Sequence, residues 1–473
     1  MSRVPVVEHI DPGGWRSVVR AALESGAGFD CLYAVHTEND PEVRLVLRQG
    51  GEHRLLVTRA AASHLDTVVD LLPPVQWDER EAHDLYGVVF DGHQPLRALV
   101  EHPREREAWI TPVEGPDVFE VAVGPIHAGV IESGHFRFHV VGERVLNLDL
   151  RLFYKHRGLE RAAEGLPLAE AIPVAQRACA ACAVANSVAC ATAIESLLGL
   201  EPDDDLRRSR TVLLELERFY NHLHDLSAIC SGIGFDPGAM TFAGLKERAQ
   251  RINQRISGHR FLFDSVRLGE GTTSLDASTA REVRGEIEAI VSEAGAAWRT
   301  LTFMHSVQDR LSGVGRLTTD EAARTGAVGP VARASRVLKD ARTDAGEALW
   351  YPGLAPVRLD QPTGDVAARA EIRAVELDQT AAILDDLLTD PPAPGVAVAT
   401  GSGAVTGIGR VESPRGATVC CVEAEDDTVT RLHLRTASYA NWPVLAAVVS
   451  GAILPDFPLI NKSFELCYAC VDR

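Results

Sequence analysis

Two Cys-x-x-Cys pairs stand far apart in this chain. Cys179 and Cys182 lie in "RACAACAVANS", and Cys467 and Cys470 lie in "KSFELCYACVDR". Thiolates are soft ligands that suit zinc, iron–sulfur clusters, copper(I) and nickel. Four sulfurs are enough for one tetrahedral ion. A structural zinc site is the plain reading of such a set. Two features weigh against it. Zinc ribbons keep their pairs about 15–20 residues apart, whereas a whole helical region intervenes here. The first pair also opens an alanine-rich helix instead of sitting in a knuckle turn. Segments at a chain end fray unless tied down, so a site shared by all four sulfurs requires the stretch from Lys462 to Arg473 to pack inward.

The remaining composition narrows the partners. The chain has 473 residues, 46% of them apolar and 24% charged, with a net charge of −19. These are ordinary globular values for more than one domain. The charge argues against a nucleic-acid partner. Lysine occurs only at 155, 246, 339 and 462, and no basic run accompanies the arginines. No secretory signal is visible at the start, and the apolar run from Val444 is too short to cross a bilayer. Nine cysteines in such a chain point to a reducing compartment, where paired cysteines signal metal more often than disulfide.

The elements that must carry these residues follow from periodicity. Residues 1–105 read as a small α/β unit: helical spacing in "WRSVVRAALESGA", strands in "FDCLYAVHT", "VRLVLRQGG" and "HRLLVTRA", and a further helix in "AASHLDTVVDLL". The aperiodic, proline-bearing stretch 106–118 reads as a linker. From Phe119 short strands surround a Gly-Pro loop, and a long helical region follows. A C-terminal α/β portion closes the chain. The expected class is α+β, with a mainly helical unit over 119–473.

At this point several blocks resemble a known family. "RACAAC" and "CYAC" are similar to the two cysteine motifs of NiFe-hydrogenase large subunits. More specifically, they resemble the energy-converting, membrane-associated branch that includes the formate hydrogenlyase large subunit. "GPIHAGVIESGHFRF", "RLFYKHRGLE", "ELERFYNH", "GFDPGAM", "VGPVARAS" and "ESPRG" resemble family blocks in the same order. "EREAHDLYGVVFDGH" resembles the small hydrophilic subunit of respiratory complex I, which this branch often carries fused.

The resemblance implies roles residue by residue. Cys179 and Cys467 would be terminal nickel ligands, and Cys182 and Cys470 would bridge nickel to an iron with CO and CN ligands. Glu132 matches the proton-transfer carboxylate, against the plainer reading of a loop carboxylate paired with His135 or an arginine. Arg415 matches the arginine over the iron's diatomic ligands, a task that suits a rigid, permanently charged guanidinium. Glu160 matches a carboxylate that binds a divalent ion, Mg2+ or Fe2+, near the C-terminus in some relatives; a salt bridge is the equal alternative. The implied partners are a small iron–sulfur subunit, antiporter-like membrane subunits, and a formate dehydrogenase or ferredoxin-type electron donor. The implied place is the inner face of the cell membrane.

Three departures from the family pattern stand out. Ala180 replaces a glycine, Asn186 a histidine, and Glu465-Leu466 an Asp-Pro. Asn186 retains a donor that could reach a bridging sulfur. Cys31, Cys190 and Cys230 read as core residues, and His222 as a hydrogen-bonded helix residue. Cys420 and Cys421 read as neighbours on opposite faces of a strand. "EREAHDLYG" reads as an interface. "GSGAVTGIG" lacks the ending of a phosphate loop and reads as a turn beside the site. Two other functions compete with the hydrogenase: a complex-I-like subunit lining a quinone chamber, and a scaffold with structural zinc.

Overall fold

The computed structural model describes residues 4–105, 109–127, 132–273, 275–343, 348–401 and 403–473. Parts of the linker and of the Gly-Pro loop block (106–108 and 128–131) lie outside this set. The N-terminal elements are β1 (Val6–His9), α1 (Trp15–Glu24), β2 (Gly28–Val35), β3 (Glu42–Gln49), β4 (Glu52–Arg59), β5 (His64–Asp66), α2 (Gln76–Tyr86) and β6 (Val89–Asp91). Four of the strands form a sheet in the order β1-β4-β3-β2, antiparallel except for β1 beside β4. Its alternating side chains bury Val43, Leu45 and Leu47 against Trp15 and Val19 of α1.

The helix expected over 61–72 does not form. Ala62 and Ser63 have positive φ, and His64–Asp66 pair in parallel with β6. Glu79 of α2 accepts from the Thr67 hydroxyl and the Val68 amide, and so holds this segment open. Local apolar spacing yields there to backbone pairing with a distant strand.

A three-stranded antiparallel sheet follows: β7 (Phe119–Val123), β8 (His135–Val141) and β9 (Arg144–Arg151). The helical region then comprises α3 (Leu159–Ala163), α4 (Leu168–Gln176), α5 (Ala183–Leu198), α6 (Asp204–Gly232), α7 (Asp236–Ser257), α8 (Ala277–Phe303), α9 (His305–Leu311), α10 (Thr319–Thr325), α11 (Gly329–Ala334) and α12 (Val366–Thr389). A small antiparallel pair, β10 (Leu200–Pro202) with β11 (Ala397–Ala399), joins the α5–α6 connection to the segment after α12. The stretch Ala180–Leu198 is long and apolar enough to cross a membrane, but 89% of it is buried inside the fold. It packs mainly against α4, α6 and the later strands Thr406–Ser413 and Gly416–Glu425.

The last part is the sheet β12 (Thr406–Ser413), β13 (Gly416–Glu425) and β14 (Thr428–Arg435), then α13 (Ala437–Val449) and α14 (Phe457–Phe464). The glycine-rich segment expected as a turn runs into strand β12, which takes its second half from Thr406 to Gly409. Its glycines serve close packing: a Cβ on Gly407 or Gly409 would lie 1.9 Å from the carbonyl oxygen of Ala193 or Ala189 on α5. The sheet's other face meets the N-terminal sheet, where Cys31, Tyr33, Val46 and Leu55 pack against Ile408, Val419 and Cys421. Cys420 and Cys421 point to opposite faces as expected, Cys421 towards Cys31 (3.6 Å between sulfurs) and Cys420 towards Cys190 of α5.

Candidate metal centre of four thiols

Cys179 and Cys182 sit where α4 ends and a single tight turn leads into α5. The backbone at Cys179 is extended, so the helix pattern is broken where the first sulfur must turn aside. Glu217 of α6 caps α5 by accepting from the amides of Val184 (2.7 Å) and Ala185 (3.1 Å). Glu217 thus satisfies two of the amides left free at the α5 N-terminus, beside Cys182.

The second pair follows α14 through Glu465, whose positive φ of 49° ends that helix. The segment beyond it is packed inward. Leu466, Tyr468, Cys470 and Val471 are buried, with Tyr468 against Phe136 and Trp442. Ser438 accepts from the Cys467 amide, and Thr436 donates to the Cys470 carbonyl.

These two segments bring the sulfurs together. Cys179 Sγ and Cys467 Sγ are 3.2 Å apart, and Cys179, Cys467 and Cys470 lie within 4.8 Å of one another. Cys182 contacts both Cys179 and Cys470. Hydrogen bonds from Cys182, Cys467 and Cys470 hold the Cys179 thiol well below its ordinary pKa, while the bond to Cys179 pushes those of Cys182 and Cys467 up. Four sulfurs thus share one buried pocket. A soft cation is what such a donor set fits, because its binding would displace the thiol protons.

The flanking groups come from four other elements. Arg415, in the turn between β12 and β13, donates through Nη1 to Cys182 Sγ (3.5 Å) and to Asn221 Oδ1 (3.1 Å), and through Nε to the Glu465 carbonyl. Burial opposes its charge, but Cys182, Asp225 and Cys179 outweigh that and raise its pKa further. Glu132 accepts from the Ala469 amide at 2.6 Å, between the two cysteines of the second pair. Half-burial pushes its pKa up, the Ala469 amide pulls it down, and the charge on Cys179 adds to the rise. Among the described residues it has no hydrogen bond or ion pair with His135.

Glu160 faces a different set of groups. It accepts from Arg473 Nε (2.7 Å), the Leu434 amide (2.9 Å) and Arg431 Nη1 (2.9 Å), with His433 Nδ1 at 3.3 Å. The interface reading of "EREAHDLYG" fits this region, because Asp78 and Glu81 of α2 pair with Arg435 and Arg473. The expectation for Asn186 is not met. Both atoms of its buried amide lack a hydrogen-bond partner among the described residues. His222, Cys31, Cys190 and Cys230 are all buried, and His222 donates to or accepts from Glu376 at 2.8 Å.

Sequence reading missed three groups. Arg157 binds four backbone carbonyls: Arg177 (2.8 Å) and Ala178 (2.9 Å) ahead of the first pair, and Ala469 (2.7 Å) and Asp472 (3.1 Å) around the second. Asn221 donates to the Ala181 carbonyl (2.8 Å) and accepts from Arg415. Glu217 caps α5. All three fall inside motif blocks, "HRGLE" and "ELERFYNH", and that was the only signal available for them.

This mixed α/β fold with a buried four-thiol pocket defines a subunit of the class shared by complex I and the energy-converting hydrogenases. Residues 8–113 match the family model of the respiratory-chain NADH dehydrogenase 30 Kd subunit, and residues 233–407 and 398–473 match that of the 49 Kd subunit. Formate hydrogenlyase subunit 5 of Escherichia coli (strain K12) is 30% identical over 98% of this chain and 85% of its own length. Hydrogenase-4 component G of the same organism is 29% identical over 90% of this chain and 79% of its own. A solved structure of the membrane-bound sulfane sulfur reductase, an archaeal respiratory membrane complex, shares the fold at a TM-score of 0.68 and 24% identity, over 77% of this chain and 100% of that one. The chain belongs to the energy-converting hydrogenase large-subunit family, of the formate hydrogenlyase and hydrogenase-4 type, related to the complex I hydrophilic subunits.

Proposed function

We propose that this chain is the catalytic large subunit of a membrane-associated NiFe hydrogenase complex. The observation that carries the reading is the convergence of Cys179, Cys182, Cys467 and Cys470 in one buried pocket. A nickel–iron centre held by these four sulfurs would supply reversible heterolytic splitting of H2. The chain's own residues would do the rest. Arg415, fixed by Asn221 and Glu465, would hold a positive charge against Cys182 and orient a ligand beside it. Glu132, half-buried and inclined to hold a proton, would carry protons from the sulfurs outward.

The same reading divides the chain into a complex I small-subunit-like unit (1–105), a linker (106–118) and a large-subunit-like unit (119–473). Outside the two pairs the sequence has no iron–sulfur motif, so electrons would leave through a partner iron–sulfur subunit. The assembly would dock on membrane subunits at the inner face of the cell membrane. A complex-I-like quinone subunit is the second reading, favoured by the 30 Kd and 49 Kd family matches.

Elemental analysis of the native complex separates these readings. Nickel at one per chain, lost in Cys470→Ser while the iron of the iron–sulfur partner remains, is the expected result. Zinc alone would assign the pocket to a structural ion, and no metal at all would leave the quinone reading standing.

A further inference from the structure

Glu81, Glu160 and His433 place one ligand atom each within 4.8 Å of the others, a spacing that a divalent ion could bridge. The surroundings do not suit such an ion. Magnesium and similar hard cations need acceptor atoms with free lone pairs. Here donors already converge on Glu160: Arg473 Nε and the Leu434 amide on Oε1, Arg431 Nη1 on Oε2, and His433 beside both. The second nitrogen face of Arg473 is turned to Glu81, with Nη2 at 2.8 and 3.0 Å from its two oxygens. The guanidinium also lies over the Tyr439 ring, 4.6 Å from its centroid.

Charge balance points the same way. The two carboxylates are matched by the two guanidinium groups of Arg431 and Arg473, and all four side chains are buried. A dication added to this set would leave an excess of positive charge out of water, which is costly. A planar guanidinium with a two-sided fork meets two carboxylates without that excess.

We propose that Arg473 is the resident cation of this site: its guanidinium takes the place between Glu81 and Glu160 that a divalent ion would otherwise fill. Arg473 lies three residues beyond Cys470, Glu81 is on α2, and Arg431 and His433 are on β14. The bridge therefore ties the second cysteine segment to the N-terminal unit and to the C-terminal sheet together. It does not depend on which metal the four thiols hold.

Mn2+ is the probe, because it is a hard cation that thiolates bind poorly and its binding is read directly by electron paramagnetic resonance. The purified complex is expected to bind no Mn2+ that Glu160→Gln removes. Arg473→Ala is expected to gain one bound Mn2+ per chain, lost again in Arg473→Ala/Glu160→Gln. Arg473→Gln, closer in size, replaces the alanine variant if that one fails to fold. A Mn2+ bound by the unaltered complex and lost in Glu160→Gln would overturn the proposal. So would a folded Arg473 variant that gains none.

Discussion

Arg157 donates to the Ala469 carbonyl at 2.7 Å across 312 residues of sequence, and the same guanidinium holds the Ala178 carbonyl at 2.9 Å. One side chain thus clamps the backbone beside Cys179 to the backbone between Cys467 and Cys470. Hydrogen bonds to a charged donor contribute about 1.5–3 kcal/mol each when shielded, and less where water reaches them, as it does at Arg157. Arg157→Ala should therefore loosen the second cysteine segment without unfolding the chain. Faster amide hydrogen exchange over residues 466–472, with unchanged exchange in α6, is the expected outcome.

The two kinds of cysteine should separate on substitution. Cys470→Ser removes one of four converging sulfurs and should abolish nickel binding and hydrogen turnover. Cys420→Ser alters a buried strand residue facing Cys190 and should leave both intact. Metal content per chain measured on both variants decides this.

Glu132→Gln keeps an acceptor for the Ala469 amide but cannot carry a proton. General acid–base groups contribute about 10²–10⁴-fold, so hydrogen–deuterium exchange should drop by that order while nickel content is retained. Retained exchange would make the residue purely structural.

Arg415→Lys keeps the charge but loses the fork that reaches Cys182, Asn221 and Glu465 together. Turnover should fall about 10²-fold, as for removal of a preorganised donor. Gly329→Ala tests the support behind it. Gly329 has a φ of +66°, and a Cβ there would lie 2.2 Å from the Arg415 carbonyl oxygen. The backbone strain alone costs about 1–3 kcal/mol, so a lower denaturation midpoint and weakened turnover should appear together.

Glu217 gives the chain a pH dependence of known sign. Burial, against the pull of the Val184 and Ala185 amides, raises its pKa from 4.5 to about 8. The folded state therefore keeps a proton that the unfolded state releases. Its contribution is fully present below pH 4.5 and is lost as pH rises to about 8, with a slope of at most about 1.4 kcal/mol per pH unit. In denaturant titrations of the metal-free chain, Glu217→Gln should flatten the curve across that window.

The local patterns could be read from sequence because they depend on near neighbours. The 3.6-residue spacing of α6, α8 and α12, the alternation in β2 to β4 and the two Cys-x-x-Cys spacings are all properties of short stretches. Where a distant contact competed, the sequence misled. The 61–72 segment forms no helix because β6 and Glu79 claim its backbone, and Gly407 and Gly409 make a strand that lets α5 approach. Tertiary structure alone decided that Cys179 meets Cys467, that Arg157 ties their segments, and that Glu160 faces Arg473. Those contacts span 288, up to 315 and 313 residues. No local rule sets them, since each is held by the packing of helices and sheets around it.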